Sequence, residues 1–314
     1  MTPRRILVTG AAGFVGHHLM PALRLRFPGA EIIESRFDVA DRAAVDAAIA
    51  EEPPDAVVHL AAIAAPTEAR RDPDAAWKVN LGGTLNLGRA VMEHAPGCVL
   101  LFASSGDAYG ASFRAGTPIG ETAALAPLNT YSATKAAADL ALGAMAAEGL
   151  HCLRVRPFNH TGPGQTDAFV VPAFARQVAA IAAGLQEKAL QVGALDPRRD
   201  FLDVRDVCAG YAAALAAADR LEPGTILNLA SGQPRRIGDI LEALLDAAGV
   251  KAEIRTDAAR LRPTDIPVAI GDASLARRLL GWAPRIPWEQ TLSDVLSEWR
   301  ARTREATANA GVPS

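Results

Sequence analysis

The sequence predicts an α/β protein built on a doubly wound parallel sheet with helices on both faces. Two observations lead to this prediction. Short apolar runs alternate with helix-like stretches through the first half of the chain. The apolar runs are also continuous rather than interrupted at every second residue, which is typical of strands buried on both faces. The 314 residues suffice for one large or two ordinary domains.

Five apolar runs in the first half are predicted strands, and four stretches between them are predicted helices. The strands are Arg5–Gly10, Glu31–Ser35, Asp55–Ala62, Cys98–Ser104 and Cys152–Phe158, and the helices are Gly13–Arg26, Arg42–Ala50, Pro73–His94 and Asn129–Ala147. In such a sheet, ligands bind beyond the carboxyl ends of the strands. The segments "TGAAG", "LAAIAAP", "SSGDAYG" and "RPFNHTGPG" each follow a strand and are therefore the candidate binding region.

The second half is less regular and is predicted to form a smaller lobe interleaved with the first. Its predicted helices are Phe169–Gly184, Asp203–Ala218, Ile237–Gly249 and Trp288–Arg300, and Thr225–Gly232 is a return strand. We place the first domain at residues 1–165, with return elements at about 203–230, and the second lobe at 166–202 and 231–314. The polar tail from Ala301 to Ser314 is expected to be frayed.

Composition excludes several classes of function. Half of the chain is apolar and 21% is charged, which suits a globular protein. The net charge of −3 gives no overall attraction to nucleic acid or to an anionic membrane, so neither is an expected partner. The three cysteines are far apart and are expected to be reduced, buried thiols. We find no signal-peptide pattern, no apolar run of membrane length and no metal-ligand spacing, so a cytoplasmic protein without a metal is expected.

Gly10, Gly13 and Gly16 form a G-x-x-G-x-x-G pattern directly after the first strand. Such glycines let the backbone turn tightly and approach a pyrophosphate, while the following helix offers its N-terminal N–H groups. A plain strand–helix turn can carry the same pattern, so its position at the start of the alternating elements is the deciding observation. We therefore predict a dinucleotide-binding first domain, in which the cofactor also contacts Phe14, Val15, Leu60, Ala61 and Ala62.

The choice between NAD and NADP depends on the end of the second strand, "ESRFD". An acid there accepts the adenosine ribose hydroxyls of NAD, whereas an arginine meets the 2′-phosphate of NADP. Arg36 slightly favours NADP and Glu34 argues for NAD, so both cofactors stay open. A solvated surface charge is an equally good interpretation of Arg36. Asp38 is a candidate for contact with the adenine amino group.

The segment "YSATK" places Tyr131 and Lys135 four residues apart, on one face of a predicted helix. A nearby ammonium is expected to lower the tyrosine pKa from about 10 toward neutrality. Such a tyrosine exchanges a proton with a carbonyl or alcohol oxygen. Y-x-x-x-K also occurs by chance, as a packed tyrosine beside a solvated lysine. The glycine loop and the serines Ser104 and Ser105 at a strand end favour the functional interpretation.

Seven motifs now stand in order: "TGAAGFVG", "DAVVHLAA", "NLGGTLNL", "SSGDAYG", "YSATK", "RPFNHTGPGQ" and "RRDFLDVRDV". Together they resemble the extended short-chain dehydrogenase/reductase superfamily that acts on nucleotide sugars, over about residues 4 to 300. Within it, "RPFNHTGPGQ" and "VGALDPRRDFLDVRDV" are most similar to GDP-4-keto-6-deoxy-D-mannose reductases and GDP-mannose 4,6-dehydratases. The resemblance implies a Rossmann-type sheet, a smaller C-terminal substrate-binding lobe, an NAD(P) cofactor and a homodimer built on the Pro73–His94 and Asn129–Ala147 helices.

The resemblance also implies a catalytic set. Ser105 would hydrogen-bond the sugar C4 oxygen, Tyr131 would be the general acid/base, and Lys135 would orient the cofactor and tune the tyrosine. Asn80 matches the asparagine on the helix behind the site, although a solvent-facing helix asparagine is the alternative. His59 also fits the pattern, but we favour a strand histidine packed in the core.

A GDP-linked sugar is the substrate that the resemblance implies. Asn159 would hold its diphosphate, and Arg199 its pyrophosphate, with Arg198 as the competing assignment. The remaining implied contacts are Arg262, Asp265 at the ribose and Arg176 at the base. Each arginine alone is explained as well by a surface ion pair; together they are better explained by one anionic ligand.

The residues after Ser105 bear on the type of reaction. Dehydratases in this superfamily carry a glutamate two positions after the serine or threonine, and the dTDP type adds an acid one position after it. Here those positions hold Asp107 and Gly106. Elimination is therefore disfavoured, and reduction of a C4 ketone is the expected reaction, with Asp107 as a substrate contact. A dehydratase, a 4-epimerase and a non-catalytic nucleotide-sugar or NADP-binding protein are the alternatives.

Overall fold

The computed structural model describes residues 2–258 and 266–309. Its centre is a parallel six-stranded sheet in the order β2-β1-β3-β4-β5-β9. The strands are β1 (Arg5–Thr9), β2 (Glu31–Glu34), β3 (Ala56–His59), β4 (Val99–Ala103), β5 (Cys152–Pro157) and β9 (Thr225–Leu229). The strand order reverses between β1 and β3, and a crevice for a ligand opens at such a reversal. The α/β prediction is confirmed.

Helices cover both faces of this sheet. They are α1 (Phe14–Arg26), α2 (Arg42–Glu51), α3 (Pro66–Arg71), α4 (Pro73–Trp77), α5 (Thr84–His94), α6 (Thr130–Ala147) and α8 (Val204–Ala216). Alternate residues along each strand lie on opposite faces of the sheet and pack in two separate hydrophobic cores. Ile6 and Leu101 pack in the core that includes α1 and α8, whereas Leu7 and Leu100 pack in the core that includes α2, α5 and α6.

A third hydrophobic cluster belongs to the later part of the chain. It joins α7 (Val170–Ala182), α9 (Ile237–Ala248) and α11 (Trp288–Asn309) to β7 (Ala189–Val192) and β8 (Arg198–Asp203). The strand β8 lies between β10 (Pro234–Arg236) and β12 (Val268–Ala269), and its C-terminal half pairs with β6 (Asn159–Thr161). The described residues also include β11 (Glu253–Thr256) and α10 (Ser274–Leu280). The boundaries that we placed between the two domains stay a prediction.

The predicted helix Pro73–His94 is interrupted. After α4, residues Lys78–Gly83 form a π-helical segment before α5 begins. Asn80 lies in that segment and is buried, with its side-chain amide bonded to the backbone of Ile63. A wider turn of this kind is seldom visible in an apolar pattern, since neighbouring turns keep the ordinary helical spacing.

The prediction that the tail frays from Ala301 is wrong through Asn309, because α11 continues to that residue. Arg302 donates to Glu298 at 2.6 Å and lies 4.8 Å from the Trp299 ring centroid. The Thr303 hydroxyl donates to the Trp299 carbonyl at 2.7 Å. Contacts at i and i+4 of this kind extend a polar helix by stabilising its exposed face.

Candidate active site

The turn between β1 and α1 requires glycine at Gly10. Its φ is +71°, and a Cβ there would lie 2.7 Å from the backbone nitrogen of Ala61. The Gly13 N–H donates to the Gly10 carbonyl at 3.0 Å, which closes the turn. At Gly16, a Cβ would overlap the Ala11 carbonyl, so this glycine allows α1 to approach the strand end closely.

The first turn of α1 fits an anionic ligand. Gly13 is its N-cap and supplies no side-chain hydrogen bond, so the first N–H groups of the helix keep their donor capacity. Phe14 and Val15 are half-buried in that turn. The opposite wall is the segment after β3, where the N–H groups of Leu60 and Ala61 bond to Thr9 at 3.1 and 3.3 Å, and Ala62 follows, half-buried. These residues fit the pyrophosphate of a dinucleotide.

The structure leaves the choice of cofactor at the 2′ position open. Glu34 is the last residue of β2 and Arg36 follows two residues later, and both side chains are exposed. Asp38 is exposed too, and its Oδ1 accepts the Ala40 N–H at 2.9 Å. An acidic and a basic side chain, Glu34 and Arg36, therefore lie at the same strand end.

Ser105, Tyr131 and Lys135 come together at the carboxyl end of β4. Ser105 is the buried N-cap of a 3₁₀ segment, Gly106–Ala115, and its Oγ accepts the Asp107 N–H at 3.1 Å. Tyr131 lies in the first turn of α6, whose start is fixed by a capping box between Asn129 and Ser132. Ser105 also acts on the tyrosine hydroxyl and lowers its pKa, so the two side chains face each other. The predicted grouping of these three side chains is thus present in the fold.

The pKa of Tyr131 is raised above its ordinary value. Burial is the main cause and the Asp107 carboxylate adds to it, while the hydrogen bond with Ser105 acts in the opposite direction. Our expectation of a pKa lowered by Lys135 is wrong for this structure. The Lys135 ammonium instead donates to the Ala103 carbonyl at 2.7 Å. Tyr131 therefore carries its proton at neutral pH.

Lys135 lies inside the protein, 3% exposed, with Nζ 4.9 Å from the centroid of the Phe102 ring. Burial lowers the pKa of Lys135 to about 8, and the Asp139 carboxylate opposes that change. The lysine is therefore charged at neutral pH and loses its charge at mildly alkaline pH.

Asn80 and His59 support the site from behind. The Asn80 amide donates to the Thr134 hydroxyl at 2.9 Å, which ties the π-helical segment to α6, so the solvent-facing alternative for Asn80 is wrong. His59 is buried between the hydroxyls of Thr9 and Thr84, at 2.7 and 3.0 Å. Burial lowers the pKa of His59 to about 3, which makes it the neutral core histidine that we expected.

The two residues after Ser105 differ in their surroundings. Gly106 is buried, and a Cβ there would lie 3.0 Å from the Phe158 ring. A side chain at this position would therefore be in tight contact with the ring, which would have to shift by a few tenths of an ångström to admit it. Asp107 is half-buried, and its carboxylate raises the pKa of both Tyr131 and His160. For His160 the effect of burial is larger and lowers its pKa overall.

Two of the predicted substrate contacts lie on neighbouring strands. Asn159 begins β6 and is paired with Phe201 of β8, and Arg199 precedes Phe201 by two residues. Arg199 is half-buried, with Nη1 donating to the Arg198 carbonyl at 2.8 Å, whereas the Arg198 side chain is exposed. Arg199 is therefore the less exposed of the two competing arginines, and the assignment of one of them to the substrate stays a prediction.

The other predicted substrate contacts are less informative. Arg176 lies on α7 and forms an ion pair with Asp167 at 2.9 Å. A ligand would have to compete with that carboxylate for the guanidinium. Arg262 and Asp265 lie outside the described residues, so their assignment rests on the sequence alone.

Sequence reasoning missed a buried polar network next to Ser105, Tyr131 and Lys135. Asp139 on α6 is fully buried and bonds to Ser104 and to Arg156 of β5, and Arg156 continues to Tyr109. A signal was present in "CLRVRPF", where Arg154 and Arg156 alternate with apolar residues inside a predicted buried strand. Charged residues at such positions require a buried partner.

The remaining composition-based expectations can be compared with the described part of the chain. Cys98, Cys152 and Cys208 are buried and unpaired, as expected. In residues 2–258 and 266–309, no group of three His, Cys, Asp or Glu side chains is placed to hold a metal ion. Within the same ranges, no helix is long and apolar enough to cross a membrane.

A dinucleotide turn followed by a serine, tyrosine and lysine at the end of β4 defines an NAD(P)-dependent oxidoreductase of the short-chain type. The family model for GDP-mannose 4,6 dehydratase matches residues 29–295, so the chain belongs to that family.

Similar proteins include a GDP-6-deoxy-D-mannose reductase from Pseudomonas aeruginosa, 40% identical over 96% of this chain and 99% of that protein. A GDP-6-deoxy-D-talose 4-dehydrogenase from Aggregatibacter actinomycetemcomitans is 30% identical over 88% and 91% of the two chains. Among solved structures, RMD from Pseudomonas aeruginosa complexed with NADPH superposes with a TM-score of 0.85, at 38% identity over 95% of this chain and 99% of that one.

Proposed function

We propose that this protein reduces the C4 ketone of a GDP-4-keto-6-deoxyhexose with NADPH or NADH, and that GDP-6-deoxy-D-mannose (GDP-rhamnose) is the product. The observation that carries the proposal is the meeting of Ser105, a protonated Tyr131 and a charged Lys135 beside a residue, Gly106, that has no side chain. The 40% identity to a GDP-6-deoxy-D-mannose reductase supports the choice of substrate.

The protein's own residues perform the proton half of the reaction. Tyr131 begins with its proton, because burial and the Asp107 carboxylate both raise its pKa, and it releases that proton to the C4 oxygen. Ser105 Oγ accepts the Asp107 N–H, which leaves its single hydroxyl hydrogen to be donated to the C4 oxygen when the substrate is bound, where it would polarise the carbonyl. The Lys135 ammonium donates to the Ala103 carbonyl, so its role in the proposal is to orient the cofactor beside Tyr131. A bound nicotinamide dinucleotide supplies the hydride.

Elimination of water from GDP-mannose is the competing reaction, and the site is poorly equipped for it. It requires an acid for the leaving hydroxyl and a base for the C5 proton. Gly106 has no group that can donate a proton, and any side chain there would be in tight contact with the Phe158 ring. Asp107 is one methylene shorter than a glutamate, and proton transfer needs heavy atoms within hydrogen-bond reach. Ketone reduction requires neither group.

The substrate and cofactor contacts follow from the same proposal. Asn159 and Arg199 on adjacent strands hold the diphosphate, and Arg262 and Asp265 remain sequence-based assignments for the nucleotide. Arg36 slightly favours NADP, in keeping with the NADPH in the solved relative.

A cytoplasmic location is supported by the three buried, unpaired thiols.

The test of this proposal is a direct assay with both cofactors. We expect the purified protein to oxidise NADPH, and NADH more slowly, when it is given GDP-4-keto-6-deoxy-D-mannose, as followed by loss of absorbance at ~340 nm. GDP-mannose without the keto sugar is the control and should give no turnover. Conversion of GDP-mannose, with no cofactor consumption on the keto sugar, would assign a dehydratase instead.

A homodimer through α5 and α6 belongs to the same proposal. The outer face of α6 carries small and apolar residues that are half-buried or exposed in the single chain, namely Ala133, Ala137, Leu140, Ala141 and Ala144. Leu140 is 60% exposed at the centre of this face. Such a smooth apolar stripe suits close packing of helices across a two-fold axis.

Replacing Leu140 with arginine is expected to convert the dimer to a monomer, because a charge would be buried at the helix contact. Light scattering measures the molar mass directly. Leu25→Arg is the matched control, since Leu25 is 86% exposed on α1, away from this face. A wild-type monomer, or a Leu140→Arg variant that stays dimeric, would remove this interface from the proposal.

A further inference from the structure

Three consecutive residues at the end of β4 face three consecutive turns of α6. Tyr131 faces Ser105, which acts on the tyrosine hydroxyl and lowers its pKa. One turn later, the Lys135 ammonium donates to the Ala103 carbonyl at 2.7 Å. One turn further, the Asp139 Oδ2 accepts the Ser104 hydroxyl at 2.6 Å. The first two contacts belong to the catalytic group, whereas the third lies deeper and has no part in the reaction as described so far.

Asp139 is fixed from a second direction by β5. Its carboxylate accepts Arg156 Nε at 2.8 Å on Oδ2 and Arg156 Nη2 at 2.7 Å on Oδ1. Arg154 Nη1 adds a longer contact to Oδ1 at 3.2 Å. The paired geometry between Arg156 and Asp139 fixes the orientation of the carboxylate as well as its position, since two parallel N–H bonds define its plane. Asp139 is 0% exposed and Arg156 is 2% exposed.

The network continues to the segment after Ser105. Arg156 Nη1 donates to the Tyr109 hydroxyl at 3.0 Å, and Tyr109 donates to Asn228 Oδ1 on β9 at 2.8 Å. Tyr109 lies two residues after Asp107 in the 3₁₀ segment. One carboxylate therefore connects the helix that carries Tyr131 and Lys135, the strand end that carries Ser105, and the segment that carries Asp107.

We propose that Asp139, oriented by Arg156, is a positioning residue for the reaction, which fixes the strand end that carries Ser105 against the helix that carries Tyr131 and Lys135. The inference rests on the proposed function for its kinetic consequence, but the geometry belongs to the chain alone. It predicts that Asp139 acts through Ser104 and Lys135 and never touches the substrate.

The same carboxylate also acts on the charge of Lys135. The groups that face this lysine are Phe102 and the Ala103 carbonyl on β4, the neutral His59 on β3 and Asp139 on its own helix. On β5, Arg154 and Arg156 bond to the Asp139 carboxylate. Asp139 is the group that offsets the effect of burial on Lys135, so its removal lowers the pKa of Lys135 below the present value of about 8.

Direct titration of Lys135 tests this without any enzymatic reaction. The chain has four lysines, and Lys78, Lys188 and Lys251 are exposed. NMR of protein carrying ¹³Cε-lysine should therefore give one signal from a buried lysine beside three from exposed ones, and the titration of the Lys135 signal can be followed by itself. In Asp139→Asn that signal is expected to move to lower pH, because the amide keeps the shape of the side chain and removes the charge. An unchanged titration would overturn the electrostatic part of the proposal.

Asp206→Asn is the matched control. Asp206 is also a buried carboxylate on a helix, α8, where its Oδ2 accepts the N–H groups of Arg285 and Ile286 at 3.0 Å each. The Asp206→Asn variant should have a lower melting temperature, because it replaces a buried, hydrogen-bonded carboxylate. The Lys135 signal should not move. A shift of equal size in both variants would mean that the effect is general destabilisation.

The kinetic readout separates positioning from simple loss of folded protein. For Asp139→Asn, kcat is expected to fall by about ten- to a hundredfold with KM for the keto sugar nearly unchanged. The alkaline limb of its kcat profile should move to lower pH, in step with the Lys135 titration. If wild-type protein does not reduce the keto sugar, the proposed function fails, while the Lys135 titration still tests the effect of Asp139 on that lysine. An Asp139→Asn variant with a wild-type kcat would contradict the positioning role of Asp139.

Ser104→Ala is the milder variant, and it keeps the proposal testable should Asp139→Asn fold poorly. It removes only the 2.6 Å hydrogen bond and leaves the buried ion pair intact. We expect a severalfold lower kcat with an unchanged Lys135 titration. Ser112→Ala is the control, because Ser112 donates to the Ala124 carbonyl at 2.8 Å and makes no contact with the network. A wild-type kcat in Ser104→Ala would contradict the positioning of the strand end.

Discussion

Replacing Tyr131 with phenylalanine is expected to lower kcat for the keto sugar by about 10²- to 10⁴-fold while cofactor binding is retained. The substitution removes the hydroxyl that faces Ser105 and keeps the ring at the start of α6. Of Ser105, Tyr131 and Lys135, Tyr131 is the side chain to which the proposal assigns the transferred proton. Initial rates of NADPH oxidation and fluorescence titration with NADPH measure the two effects separately.

Tyr211→Phe is the matched control for that experiment. Tyr211 is a fully buried tyrosine on α8 that interacts electrostatically with Tyr131 but has no role in the proposed proton transfer, so its loss of a hydroxyl should leave kcat close to that of the wild type. A Tyr131→Phe variant that turns over within a few-fold of the wild-type rate would mean that another group supplies the proton.

Replacing Gly10 with alanine is expected to damage both the fold and the cofactor site. A non-glycine residue in the left-handed region costs about 1–2 kcal/mol. The new Cβ would also lie 2.7 Å from the Ala61 nitrogen, and displacing packed backbone costs a further ~1–3 kcal/mol. The free energy of unfolding should therefore fall by about 2–5 kcal/mol, as measured by urea denaturation. NADPH affinity should fall as well, because the turn that faces the pyrophosphate opens.

Gly29→Ala provides the comparison. Gly29 is exposed, it has no positive φ, and a Cβ there meets no atom within 4 Å. Its stability and NADPH affinity should match the wild type. If Gly10→Ala also matched the wild type in stability and NADPH affinity, the cofactor site would not depend on the close approach of β1 to the segment after β3.

The sequence predicted the parts of the site that local spacing determines. Gly10, Gly13 and Gly16 follow a strand and open a helix, and Tyr131 and Lys135 lie one turn apart on a helix. Each arrangement depends only on residues close together in the chain. Continuous apolar strands likewise identified the core of the sheet, because burial on both faces leaves a strong pattern.

Contacts between distant segments were harder to predict. The pair Asp139–Arg156 joins residues 17 positions apart, and the bond from Tyr109 to Asn228 joins residues 119 apart. The raised pKa of Tyr131 depends on the Asp107 carboxylate and on burial, neither of which Y-x-x-x-K spacing contains. The strands of the second lobe have two to six residues and pair with remote partners, so they carry little pattern of their own.

The measurement that tests the central claim most directly uses NADPH deuterated at the transferred position of the nicotinamide. Incubated with GDP-4-keto-6-deoxy-D-mannose, the protein should consume one cofactor for each sugar and give a GDP-6-deoxyhexose with deuterium at C4. NMR of the product also reads the configuration at C4, where the rhamno form is expected. A product without deuterium at C4, or consumption of GDP-mannose with no net oxidation of cofactor, would contradict the assignment as a ketone reductase.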